Sequence, residues 1–98
     1  MINKNCIYGK VTGVTVAEFG TGDIEMNGSE KDKNGSVHLA FKTVETPGII
    51  GKKVKSTYKT FDEMQPEIVF IFNKIESIDS VINMLKDCRK DFKKKINL

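Results

Sequence analysis

The sequence is poor in the residues that build catalytic and metal centres. Among its 98 residues it has no tryptophan, one histidine and two cysteines. A serine or cysteine nucleophile needs a base within reach, and only His38 offers an imidazole. Cys6 and Cys88 lie too far apart in the chain for a zinc-binding spacing. We therefore expect free thiols, with a disulfide as the less favoured alternative, and no metal, no cofactor and no enzymatic activity.

Long apolar runs are also absent. No stretch approaches the ~20 apolar residues that a membrane-spanning helix needs, and residues 1–6 lack the apolar core of a signal peptide. Hydrophobic residues make up 39% and charged residues 30% of the chain, which is ordinary for a soluble globular protein. The sequence predicts one cytoplasmic domain over residues 1–98, without membrane association.

Valine, threonine and alternating apolar residues predict four or five strands. Segment 7–19 changes the phase of its apolar residues, which predicts one long strand with a bulge at Gly13. A hairpin turn is expected over 19–23 and another at Asn34-Gly35, a pair that tolerates positive φ. Further strands are expected over 24–27, 36–45, 50–60 and 67–72.

Two of these strands carry expectations about burial. In the 36–45 strand we expect one face inward (Val37, Leu39, Phe41) and the other outward (His38, Ala40, Lys42). The 67–72 strand is apolar on both faces, which indicates a central strand covered on both sides or a strand within an interface.

Apolar residues recur at three- and four-residue steps near the C-terminus. This spacing predicts an amphipathic helix from Ser77 to Lys95, with Ser77 as its N-cap. We expect the apolar stripe of this helix to be buried against the sheet: Ile78, Val81, Ile82, Leu85 and Phe92. A turn or a single helical turn is expected over 61–65, stopped by Pro66. The fold class is thus α+β, a mostly antiparallel sheet of four to five strands packed on one C-terminal amphipathic helix.

A run of lysines is the strongest candidate for a binding site. Lys53, Lys55 and Lys59 share one face of the strand expected over 50–60, close to Tyr58. Basic strands with interleaved aromatic residues are typical of proteins that hold single-stranded nucleic acid. Because the chain has one arginine, base-specific recognition is disfavoured. A solvent-exposed edge strand is the preferred interpretation, and nucleic-acid binding is the alternative.

A cluster of acidic residues lies in the N-terminal third of the sequence. Glu18, Asp23 and Glu25 flank the turn expected over 19–23. Such groups are usually solvated, and paired carboxylates that hold a hard cation are the less favoured interpretation. As a docking surface for a basic partner they are the second candidate site.

These observations favour a small non-enzymatic binding protein that acts through protein–protein contact. A mobile-element accessory or inhibitor protein fits this profile, and abundant lysine, asparagine and isoleucine fit an AT-rich coding sequence. Two alternatives stay open: a single-stranded nucleic-acid-binding protein that uses the lysine face, and a small-ligand-binding or sequestering protein. We also expect a homodimer, because one helix covers only one face of a sheet whose 67–72 strand is apolar on both. A sheet curled at Gly13 is the alternative to the dimer.

Overall fold

The computed structural model describes residues 1–45, 58 and 60–94. These residues form five strands and two helices: β1 (Ile2–Tyr8), β2 (Val11–Ala17), β3 (Ile24–Gly28), β4 (Val37–Thr43), α1 (Phe61–Met64), β5 (Ile68–Phe72) and α2 (Ile75–Lys93). Every strand pair is antiparallel. The predicted fold class, α+β with an antiparallel sheet and a C-terminal helix, is confirmed. The strand expected over 50–60 lies outside the described residues, apart from Tyr58 and Thr60.

The N-terminal residues form a two-stranded hairpin, so the prediction of one long strand over 7–19 is wrong. β1 pairs with β2 across a turn at Gly9, whose φ of 60° favours glycine. The bulge predicted at Gly13 is confirmed. Cys6 lies opposite Val14 and Tyr8 opposite Val11, so β2 has one extra residue there, and Gly13 has a φ of 75°.

The other three strands form a second sheet in the order β3-β4-β5. The turn at Asn34-Gly35 joins β3 to β4 as predicted, and Gly35 has a φ of 83°. Residues 19–23 link β2 to β3, which belong to different sheets, so the hairpin predicted there is not formed. β4 is the central strand of this sheet, whereas β5 was predicted to be either a central strand or a strand within an interface. Among the described strands β5 pairs with β4 alone, and Ile71 is 57% exposed.

Both faces of β4 contribute to the core. Phe41 is buried on one face, as predicted. On the other face Ala40, predicted to point outward, is 0% exposed, as is Met64 at the end of α1. α1 begins at the N-cap Thr60, whose hydroxyl accepts a hydrogen bond from the Glu63 amide, and the chain leaves the helix through a left-handed Gln65. The short helix therefore covers the face that the alternating pattern assigned to solvent.

The hairpin is tied to the second sheet at its first residues. The amide of Ile2 donates to the Thr43 hydroxyl at 3.0 Å, and the Ile2 side chain is buried. The ring of Phe19, just after β2, meets that of Phe41 edge-on at 6.1 Å between centroids. The two sheets are thus joined through β4.

α2 differs from its prediction in start and in burial. It begins at Ile75 with Lys74 as N-cap, and the Ser77 hydroxyl donates to the Lys74 carbonyl at 2.6 Å instead of capping the helix. No α2 residue is buried, so the prediction that the apolar stripe is covered by the sheet is wrong. The helix follows β5 after two residues and contacts that strand, and no other described element covers the stripe. No helix of the described residues is long and apolar enough to cross a membrane.

Candidate protein-interaction surface

The apolar side of α2 is exposed over most of its length. We call it the α2 stripe, and its members recur at three-, four- and seven-residue steps: Ile75, Ile78, Val81, Ile82, Leu85 and Phe92. Ile75 at the start of the helix is 74% exposed, and from Val81 onward the exposed fraction rises from 38% to 63% at Leu85 and 93% at Phe92. Each such side chain left in water forgoes roughly 1.5–3 kcal/mol of burial free energy. A stripe of this kind usually marks a contact with another macromolecule.

The charges of α2 are sorted along its length. Glu76 and Asp79 are the only charged residues of 75–84, whereas 85–93 carries four bases and two acids. Acids near the N-terminus and bases near the C-terminus both suit the helix dipole. The same sorting makes the two halves of the helix electrostatically complementary to each other.

A second apolar patch lies on the sheet, on the face that contains Phe41. The Phe70 ring lies 4.8 Å from that of Phe41 and 6.3 Å from that of Phe72, both edge-on. Phe70 is paired with Leu39 across the ladder and is partly exposed, as is Met26 at the opposite edge. Aromatic residues of this face therefore continue from the core to the surface along β5.

The apolar core of the described residues is small. Its buried members are Ile2, Ala40, Phe41 and Met64. Exposed large apolar side chains outnumber them, and they include Val81, Ile82, Leu85 and Phe92 of α2 and Val69, Phe70 and Ile71 of β5.

The acidic residues predicted as a docking surface lie around the chain's first residue. The Asp23 carboxylate accepts a hydrogen bond from the Met1 ammonium at 2.6 Å. That bond, followed by one from the Thr21 hydroxyl, lowers the pKa of Asp23 below its usual value. Glu18 accepts from the same ammonium through its backbone carbonyl at 2.8 Å, and Glu25 is half-buried in β3. Asp23 thus acts within the fold, and docking by the three acids stays a prediction.

The predicted lysine site lies beyond what the structure describes. Lys53, Lys55 and Lys59 all fall outside the described residues. Their neighbour Tyr58 is half-buried, with the Lys42 ammonium 5.7 Å from its ring centroid. Nucleic-acid binding by the lysine face stays a prediction.

His38, the one histidine, belongs to a structural hydrogen-bond network. Its Nε2 atom lies 3.0 Å from Asp32 Oδ2, and its backbone amide donates to the Ser29 hydroxyl at 3.0 Å. Asp32 Oδ1 accepts from the amides of Asn34 at 2.8 Å and Ser36 at 2.9 Å. The amide of Ser36 first, and then His38 and Asn34, lower the pKa of Asp32. This network ties the β3–β4 loop to β4.

The remaining candidates for chemistry are weaker. Within residues 1–45, 58 and 60–94, no three histidine, cysteine, aspartate or glutamate side chains come together as a metal site would require. An open groove of about 540 Å³ lies between α1 and the end of β3, lined by Asn27, Gly28, Ser29, Glu30, Tyr58, Thr60, Phe61 and Met64. This groove is where the small-ligand alternative would act.

No protein-family model, no curated protein and no solved structure matches this chain. Function is therefore inferred from its own residues. The sequence pattern revealed the α2 stripe but assigned it to the core. Two features of the sequence favour an interface over a buried core position: the heptad spacing of the stripe residues, and the separation of acidic and basic residues along the helix.

Proposed function

We propose that this chain is a small non-enzymatic binding protein that acts through protein–protein contact, with the α2 stripe as its main contact surface. The observation that supports the proposal most is the exposure of Leu85 and Phe92 on a helix without a buried residue. Large apolar side chains on one side of a helix are the anchors by which helices dock in grooves or pair with other helices.

Charge and composition agree with this role. Residues on the polar side of α2, such as Ser80 and Asn83, are exposed and uncharged, so the helix presents an apolar stripe beside a polar face. The proposal includes a cytoplasmic location, which the free thiols of Cys6 and Cys88 support because reducing compartments keep cysteines unpaired. Accessory or inhibitor proteins of mobile elements belong to this class of small binding proteins.

The proposal is tested by affinity capture from a bacterial lysate treated with nuclease. The bait is the whole chain, compared with a Leu85→Lys/Phe92→Lys variant that adds two charges to the stripe. The matched control is Ser80→Lys/Asn83→Lys, which adds the same two charges to the polar face of the same helix. Circular dichroism checks that all three proteins are equally helical.

We expect the wild type and the control to capture a protein, either from the lysate or a differently tagged copy of this chain added to it, that the stripe variant fails to capture. Equal capture by all three baits would show that α2 is not the contact surface. Capture that disappears with nuclease would instead favour the single-stranded nucleic-acid alternative.

A further inference from the structure

Resting on the proposed role of the α2 stripe, we infer that its partner is a second copy of this chain, with the two α2 helices paired antiparallel. The stripe follows a seven-residue repeat, in which Ile75, Ile82 and Arg89 take the first core position (a). Ile78, Leu85 and Phe92 take the second (d). This alternation of three and four residues is the spacing by which two helices pack knobs into holes.

An antiparallel pair has one register that matches all six core positions. It sets Ile82 against Leu85 of the second copy on both sides of the twofold axis. Ile75 then lies across from Phe92 of the second copy. The most exposed residue of the stripe, Phe92, thereby acquires an apolar neighbour.

Charge selects the antiparallel direction over the parallel one. In a parallel pair Arg89 would face its own copy in the core, and the basic ends of both helices would lie side by side. In the antiparallel register Arg89 lies across from Ile78, one turn or less from Glu76 and Asp79 of the second copy. Lys86 flanks the core next to Asp79 of the second copy, which gives two symmetric pairs of opposite charge.

The length of α2 suits such an interface. The helix has 19 residues and is about 28 Å long at 1.5 Å per residue. Val69, Phe70 and Ile71 of β5, the strand that α2 contacts, are also exposed and add apolar surface next to the helix.

Sedimentation equilibrium of the whole chain tests the partner. We expect twice the chain mass of 11.0 kDa at micromolar concentrations. The Leu85→Lys/Phe92→Lys variant should sediment as a monomer, and the Ser80→Lys/Asn83→Lys control as a dimer. A wild type that stays monomeric up to high-micromolar concentration overturns the inference.

Single-cysteine crosslinking tests the direction. The antiparallel register brings residue 81 next to Cys88 of the second copy. One sample carries Cys6→Ser, so that Cys88 is its single cysteine. The other carries Val81→Cys with Cys6→Ser and Cys88→Ser, so that its single cysteine is at position 81. Oxidation of the mixture should give a mixed disulfide dimer at a yield several-fold above that of either protein alone. Strong crosslinking of the Cys88 protein to itself would indicate a parallel pair and contradict the register.

A charge exchange separates this inference from the proposed function. Lys86→Glu places an acid next to Asp79 of the second copy and should weaken dimerisation at least several-fold. Adding Asp79→Lys to the same chain should restore dimerisation. A monomer that still captures a lysate protein through α2 would overturn the second-copy inference and leave the proposed function in place. A chain that neither dimerises nor captures a protein through α2 would overturn both.

Discussion

The Asp32 carboxylate and the His38 imidazole lie 3.0 Å apart and join the β3–β4 loop to the central strand. The same carboxylate accepts from the backbone amides of Asn34 and Ser36. One aspartate thus closes the turn at Asn34-Gly35 and sets the start of β4.

This network predicts an acid-dependent loss of stability. Hydrogen bonds, that of Ser36 foremost, lower the pKa of Asp32 in the folded protein from its ordinary value of 3.8. A lowered folded-state pKa contributes stability that is present above the ordinary value and lost as pH falls through the folded one. We expect the wild type to lose stability from about pH 5 downward. Asp32→Asn should be less stable near neutral pH and should vary less with pH in the acid range.

Urea unfolding followed by circular dichroism between pH 7 and pH 2 measures this dependence. Lys33→Gln alters the charge of the same loop without removing an Asp32 bond, and it should keep the wild-type acid dependence. Parallel curves for wild type and Asp32→Asn would mean that the carboxylate does not stabilise the loop.

A side chain added at Gly13, in the bulge, should strain the backbone without a steric clash. Gly13 has a φ of 75°, and a Cβ added there would meet nothing within 4 Å. Gly13→Ala should therefore cost about 1–2 kcal/mol through the left-handed conformation alone. Gly28→Ala is the matched control, because its surroundings are equally open and its φ is not positive. Equal unfolding free energies for the two variants would contradict the bulge.

The burial of α1 and the exposure of α2 predict opposite results for two alanine substitutions. Met64 is 0% exposed, so Met64→Ala should cost about 2–5 kcal/mol by leaving a cavity. Leu85→Ala should change the unfolding free energy of the monomer by less than about 0.5 kcal/mol, as surface substitutions do. Chemical denaturation at nanomolar concentration, where association is minimal, measures both. If Leu85→Ala lowered the unfolding free energy by more than about 2 kcal/mol, the stripe would be buried in the monomer, as the sequence predicted.

The lysine face predicts how the nucleic-acid alternative would behave. If Lys53, Lys55 and Lys59 bind phosphates, affinity for a labelled single-stranded oligonucleotide should fall steeply with salt through counterion release. Replacing all three with glutamine should reduce the slope of log affinity against log salt by roughly two units. Fluorescence anisotropy at several salt concentrations measures the slope, and no binding at ~50 mM salt would remove this alternative.

Much of the local structure follows from short stretches of sequence. The Asn34-Gly35 turn, the Gly13 bulge, the helical turn before Pro66 and the existence of α2 each depend on a few contiguous residues. Their conformations arise from backbone sterics, hydrogen bonds between near neighbours and the period of the apolar residues. These features were predicted correctly. The start of α2 differs by two residues: the helix begins at Ile75, with Lys74 as its N-cap.

Strand pairing and burial were decided by the tertiary structure. An alternating or helical pattern shows which side chains share a face, but whether that face is covered depends on elements distant in sequence. Ala40 has the parity of an outward residue and is buried on the face where Met64 of α1, more than 20 residues away, accepts hydrogen bonds from Asn27 and Lys42. Leu85 and Phe92 have the period of a core stripe and are exposed because, among the described elements, α2 contacts only β5 closely. The sequence by itself determined that α2 has an apolar side, and only the tertiary structure decided that the described residues leave this side uncovered.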